Sequence, residues 1–162
     1  MSEGNAAKKI SGLNSHEILK KLTGLEIFQK LLAGELLTTP FAETLDYQLI
    51  EVEKGRVVFG STPSFKFSNP LGTMHGGYLA TLLDSAMACA VHTTLDAGKG
   101  CTSLEFKLNF VRPVFESTGY LKAEGNIINV GKQIATSEGK IFDANGKLYA
   151  HGTTTLMIYD LK

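Results

Sequence analysis

A chain of 162 residues, 43% of them hydrophobic, suits one domain with a sizeable core and excludes disorder along its whole length. Sixteen basic residues against sixteen acidic ones give a formal net charge of zero, which excludes the broad cationic footprint of a general nucleic-acid binder. No apolar run approaches the ~18 residues of a spanning helix, the polar start lacks the apolar core of a signal peptide, and Cys89 and Cys101 have neither CxxC spacing nor a histidine pair beside them. The expectation is a cytoplasmic, reduced protein with two ordinary thiols, no metal, no membrane segment and no nucleic-acid partner.

Residues 1–14 read as a polar, disordered lead-in. From Ser15, a plausible N-cap, the apolar residues Ile18, Leu19, Leu22, Leu25, Ile27, Phe28, Leu31 and Leu32 recur mostly at intervals of three and four. This predicts an amphipathic helix within a flanking region 15–43, with Gly24 as a break and Gly34 as a stop. The main domain follows over 44–162. Thr44 to Val52 and Gly55 to Thr62 predict two strands around a Glu53-Lys54-Gly55 turn. A loop with Pro63, Pro70 and Gly72 precedes Gly76 to Thr93, which is almost uniformly small or apolar, too rich in alanine for a strand and long enough for a buried helix. Ser103 to Val111 alternates, with Leu104, Phe106, Leu108 and Phe110 on one face and Glu105, Lys107 and Asn109 on the other. Strict alternation puts Ser103 on the Glu105 face. Gly119 to Val130, Gln133 to Phe142 and Leu148 to Tyr159 complete the strands, the last two joined by an Asp143-Ala144-Asn145-Gly146 turn. One helix apolar nearly all round, with mostly antiparallel strands, implies an α+β domain whose sheet curls about the helix.

Chemistry concentrates between Asn69 and Asp84. Gly76 and Gly77 at a helix start leave backbone N–H groups uncovered by side chains and unpartnered within the helix, at its positive end. Such donors stabilise a carbonyl oxygen that gathers negative charge when attacked. The alternative is a tight turn needing glycine's backbone freedom. Asp84 is the only charged residue between His75 and Asp96. Placed among Leu82, Leu83, Ala86, Met87 and Ala88, a carboxylate is costly unless solvated or hydrogen-bonded. It reads as a general base or nucleophile, or else as a buried anchor for another backbone segment. Gly76 and Asp84 lie roughly 12 Å apart along one helix, too far to serve one carbon. Two antiparallel copies about a two-fold axis would bring Gly76 of one chain to Asp84 of the other, so the spacing points to a homodimer with shared sites.

The run Asn69-x-x-Gly72-x-x-His75-Gly76-Gly77-Tyr78-x-Ala80-x-Leu82-x-Asp84, the strand Ser103 to Pro113 and the closing His151-Gly152-Thr153-Thr154-Thr155 resemble the PaaI-like branch of the hotdog-fold acyl-CoA thioesterases, in the 4-hydroxybenzoyl-CoA thioesterase superfamily. The resemblance spans about residues 44–159. It implies a long central helix wrapped by a curved antiparallel sheet, hydrolysis of an acyl-CoA substrate without a further cofactor, and a dimer or tetramer. It further implies that the Gly76 N–H polarises the thioester carbonyl, that Asn69 orients substrate or water, that His75 shapes the loop, that Asp84 is the catalytic carboxylate, contributed by the partner subunit, and that Ser103 positions water. A threonine that certain relatives carry one turn beyond the acid is Ala88 here.

His16, His92 and His151 read as structural, His92 as a cation suited to the helix C-terminus. Lys99, Arg112 and Lys132 read as solvated charges rather than phosphate clamps. Two other activities stay open: a hotdog-type acyl dehydratase, which needs a His–acid pair such as His75 and Asp84, and an acyl-CoA-binding module without turnover, for which Asp84 has no use.

Overall fold

The computed structural model of the protein describes residue 12 and residues 14–162. The disordered lead-in expected over 1–14 falls otherwise outside the described residues, and Gly12 and Asn14 are tied down. Gly12 donates to the Thr38 carbonyl at 3.0 Å, and the Asn14 side chain brackets both backbone groups of Leu37 at 2.9 Å.

The flanking region holds three short helices: α1 (His16–Leu19), α2 (Gly24–Leu32) and α3 (Pro40–Thr44). Ser15 makes no side-chain cap; the capping box belongs to Thr23 and Glu26, at a T-x-x-E signature that starts α2. Gly34 ends the turn beyond α2 at φ +76°. α3 starts from a Thr39 cap with Pro40 at its first position, and it delays the first strand from Thr44 to Tyr47.

Six strands form one antiparallel sheet: β1 (Tyr47–Glu53), β2 (Arg56–Ser61), β3 (Lys99–Phe110), β4 (Leu121–Val130), β5 (Ile134–Asp143) and β6 (Leu148–Asp160), in the order β1-β2-β4-β5-β6-β3. The long helix α4 (Gly76–His92) lies against β2, β3, β4, β5 and β6, as expected for a curled sheet. It comes close because two facing positions have no side chain. A Cβ on Gly125 would sit 2.2 Å from the Ala86 carbonyl oxygen, and one on Gly139 would sit 2.8 Å from Met87 Cγ. Leu79, Leu82, Leu83, Ala86, Met87, Ala90 and Val91 are buried on this side.

α4 is not covered all round. Ala80, Thr81, Asp84, Ser85, Ala88, Cys89 and His92 are only half-buried and form one stripe at helical spacing. The two edge strands bound it: Tyr47 of β1 reaches Ser85 (Oη to Oγ, 3.1 Å) and Ser103 of β3 reaches Asp84. Beyond His92, α2 packs on the C-terminal end of α4. The Phe28 ring meets His92 edge-on at 5.6 Å, and a Cβ on Gly24 would sit 1.7 Å from the His92 carbonyl oxygen. His92 Nε2 is buried without a partner among the described residues. Burial lowers the pKa of the ring from 6.5. A neutral ring replaces the cation expected at the helix C-terminus. No described helix is long and apolar enough to cross a membrane.

Two outcomes follow from this packing. Gly125→Ala should lose about 3 kcal/mol in urea unfolding, the upper range of overpacking, because a backbone carbonyl cannot swing aside. Since His92 has a lower pKa folded than unfolded, its contribution is intact above pH 6.5 and is lost as pH falls below that value. The unfolding midpoint of the wild type should therefore fall more steeply than that of His92→Gln in a pH series run downward from neutrality.

Candidate active site

The loop before α4 is built on local bonds. Asn69 Oδ1 accepts from the Leu71 N–H at 2.9 Å, Asn69 Nδ2 donates to Thr73 Oγ1 at 2.7 Å, and the Asn69 N–H donates to the Thr73 carbonyl at 2.8 Å. Gly72, at φ +78°, closes the turn. The Asn69 amide thus organises its own loop. The Met74 N–H donates to Val114 O at 2.7 Å and the His75 N–H to Phe67 O at 2.8 Å.

His75 is exposed and caps α4. Its Nδ1 accepts from the Gly77 N–H at 2.9 Å and its carbonyl accepts from the Tyr78 N–H at 3.0 Å. The Gly76 N–H between them makes no hydrogen bond to a described residue. Neither Gly76 nor Gly77 has positive φ, so backbone freedom does not explain this pair. A Cβ on Gly77 would lie 2.9 Å from His75 Nδ1 and displace the cap, and one on Gly76 would rest 3.4 Å from the Phe110 ring. Bare Gly76 thus presents an unpaired donor beside an aromatic wall. Leu45, Lys66, Phe67, Ser68, His75, Gly77, Tyr78 and Thr81 line a hollow of about 350 Å³ at the start of α4.

Asp84 lies two turns further along the same helix. It is half-buried, and its Oδ1 accepts a 2.7 Å hydrogen bond from Ser103 Oγ, so it is not immersed in the apolar neighbours the sequence places around it. The contact also overturns the parity expected for Ser103. Leu104 is the extra residue of a bulge: Ser103 pairs with Leu156 and Glu105 with Thr155. Cys101 and Ser103 before the bulge, and Phe106, Leu108 and Phe110 after it, then all pair with the buried side of β6. The alternation of Phe106, Leu108 and Phe110 was legible; the phase shift at Leu104 was not.

Two thiols flank the acid. Burial pushes Cys101 up to about 11, and it pushes Cys89 higher still, with Cys101 and Asp84 adding to the effect. Both stay protonated at neutral pH, so neither is an activated nucleophile. Among the described residues no group of three or more His, Cys, Asp or Glu gathers as a metal site. Lys99 pairs with Asp160 at 2.9 Å and Arg112 donates to Leu148 O at 2.5 Å. The structure therefore brings Ser103 to Asp84 and His75 to Gly76 and Gly77, and keeps Asn69 in its own turn. Phe110, which the strand alternation puts on an apolar face, and Tyr47, which tethers Ser85, also border the helix, though nothing in their residue types marks them for it.

A family model described as "Thioesterase superfamily" matches residues 71–150. A Saccharolobus solfataricus protein named for an esterase activity is 33% identical over 106 residues, 65% of this chain and 74% of the relative. The chain belongs to the thioesterase superfamily. Human acyl-coenzyme A thioesterase 13 is similar at greater distance, 26% identical over 140 residues, 86% of this chain and 90% of that protein. The crystal structure of a phenylacetic acid degradation-related protein from Ralstonia eutropha JMP134, titled a thioesterase, superposes with a TM-score of 0.73 at 30% identity, over 80% of this chain and 98% of that one. The superfamily match covers the loop from Leu71, the whole of α4 and β3 to β5, and so includes Gly76, Asp84 and Ser103. The hotdog architecture and the PaaI-like resemblance hold.

If the Ser103 bond holds Asp84 in place, Ser103→Ala should lower turnover by about ten-fold, whereas Ser103→Thr, which keeps the hydroxyl, should recover most of it. Steady-state thiol release with an acyl-CoA checks both.

Proposed function

We propose that the protein hydrolyses an acyl-CoA to a free acid and CoA, at sites shared between two copies of the chain. One observation carries this reading. One helix, α4, carries at its start a Gly76 N–H that makes no hydrogen bond to a described residue and, on its half-buried stripe, an Asp84 held by Ser103. The relatives' names, an acyl-coenzyme A thioesterase among them, support the substrate class.

Eight residues of helix separate the two groups by roughly 12 Å, so one chain does not complete a site. The exposed edge offers the remedy. β3 ends the sheet, and its Leu104, Phe106 and Phe110 are 54%, 45% and 51% exposed. A second copy running antiparallel along this edge would cover them and set its Asp84 opposite Gly76; the pair can assemble again as a tetramer. In such a site the thioester oxygen takes the Gly76 hydrogen bond. Asp84 accepts a proton from water as the water attacks the carbonyl carbon, the carbon–sulfur bond breaks, and the proton passes to the departing CoA sulfur. In the alternative route Asp84 attacks the carbon itself, and water then cleaves the mixed anhydride. Label found in Asp84 after a single turnover in ¹⁸O-labelled water identifies the anhydride route with water attacking the aspartyl carbon, since direct hydrolysis leaves the side chain unlabelled. Neither route uses a metal or redox cofactor.

A dehydratase is disfavoured because His75 Nδ1 is occupied by the Gly77 N–H. A binding module has no use for a carboxylate with a dedicated hydroxyl donor.

Asp84→Asn should fold, dimerise in light scattering and bind substrate, yet lose about 10²–10⁴-fold in turnover. Gly76→Pro, which deletes the donor, should lose ~10²-fold or more while keeping its circular dichroism spectrum. Mixed dimers of these two variants should regain one intact site; no recovery with subunit exchange verified would put both residues in one chain's site.

A further inference from the structure

The proposal that Gly76 is the donor leaves a question about aim. An oxyanion donor works only if its N–H points at the reacting oxygen, and the bonds around His75 fix the first turn of α4 only to itself and to neighbouring loops. Its side-chain hydrogen bond to the sheet comes from Tyr78, two residues beyond Gly76. This side chain is 4% exposed. Its hydroxyl lies 2.6 Å from Ser61 Oγ at the end of β2, and Ser61 Oγ donates onward to the Asp46 carbonyl at 2.7 Å. With the Ser61 hydrogen so used, Tyr78 is the donor to Ser61. Burial raises its pKa and keeps it protonated for that role.

The same residues close into a ring. Tyr78 stacks on Phe67 with centroids 4.7 Å apart and planes 11° from parallel. Lys66 Nζ lies 4.9 Å from the centre of the Phe67 ring and 2.5 Å from Asp46 Oδ2. Asp46 is the one non-glycine residue with positive φ, +49°, among the described residues, a conformation that persists where surrounding contacts hold it. The Phe67 carbonyl accepts the His75 N–H. The ring Asp46–Ser61–Tyr78–Phe67–Lys66 thus joins the strand ends, the loop before α4 and the first helical turn, two residues along the chain from Gly76.

We infer that Tyr78 and Ser61 are a positioning pair that sets the direction of the Gly76 N–H, so that the hydroxyl bond between them governs turnover rather than substrate affinity. This rests on the reading of Gly76 as the oxyanion donor. The assay uses the full-length chain and whichever of acetyl-, hexanoyl-, palmitoyl- and benzoyl-CoA it hydrolyses fastest. Tyr78→Phe keeps the ring and its stacking and deletes only the hydroxyl. It should lower kcat about ten-fold, as for a misaligned reacting group, and leave KM within about two-fold. Ser61→Ala, which breaks the same bond and the one to the Asp46 carbonyl, should lower kcat at least as much, and the double variant should be no worse than Ser61→Ala alone, because Tyr78→Phe then removes no further bond. A purely structural pair would lower the thermal midpoint and leave kcat intact below it. Should Tyr78→Phe fail to fold, Ser61→Ala carries the same expectation.

The infrared band of the thioester carbonyl, read on the same acyl-CoA bound to Asp84→Asn, separates the two levels of inference. A hydrogen bond from Gly76 lowers its frequency, and adding Tyr78→Phe or Ser61→Ala should return it toward the value of free substrate. A lowered band that both variants leave in place, with kcat unchanged, overturns the positioning pair and leaves Gly76 as donor. No lowering in Asp84→Asn itself, or no hydrolysis of any of the four thioesters by the wild type, removes the underlying reading and this inference with it.

Discussion

The approach of α4 to the sheet at Gly125 and Gly139 sets the rest of the molecule. Where a backbone carbonyl of the helix passes over a residue without a side chain, the axis sits closer to the strands than any larger residue would permit. Dispersion contacts on that side are correspondingly dense, and they fix the rotation of the helix about its own axis. Once the Leu83 and Met87 side is committed to the strands, the Thr81–Asp84–Ala88 side must face away from them. The open stripe is a consequence of how the opposite side packs. A carboxylate can sit there because one edge strand supplies a donor while the other tethers the neighbouring serine.

Much of this was legible from residue types. A helix rich in alanine and leucine, six β-prone runs separated by glycine and proline turns, and one acid in an apolar stretch led to the α+β architecture and to Asp84. Features that depend on pairing were less visible. The bulge at Leu104 follows from how β3 meets β6, and an alternating string of side chains carries no mark of a skipped partner. The Thr23-x-x-Glu26 box and the Thr39-Pro40 start of α3 were readable signatures outweighed by a longer apolar periodicity. Asn69 was placed in the right loop, but its engagement with Thr73 and Leu71 emerges only when the turn is closed. The glycine pair divides in a way one-dimensional reading cannot show: Gly77 makes room for the His75 cap, whereas Gly76 is half-buried against the Phe110 ring.

The chemical character of the site follows from which groups are kept neutral. The thiols of Cys89 and Cys101 and the phenols of Tyr47 and Tyr78 are all pushed upward by burial. Around α4 this leaves weak donors and un-ionised side chains, with Asp84 as the one carboxylate on the stripe. A negative charge developing on a substrate oxygen would meet backbone and hydroxyl dipoles, with few mobile counter-charges to reorganise, the arrangement in which fixed donors act most strongly.

The bulge in β3 behaves as a phase shifter between two halves of one strand. The outer half, from Phe106 to Phe110, carries aromatic wall; the inner half, Cys101 to Ser103, carries the hydroxyl that meets the acid. With Leu104 drawn into the ladder instead, the strand would still pair with β6, yet one half would rotate through to the opposite face. If Phe106 and Leu108 kept their places, Leu104 would stand opposite Leu156, Thr102 would inherit an inward position beyond it and Ser103 would turn to the other face. Hydrophobic pattern, core volume and sheet order would be almost unchanged, and the acid would face a different hydroxyl at a different height. Whether this residue bulges or pairs is thus a route by which the fold can alter its chemistry without altering its core.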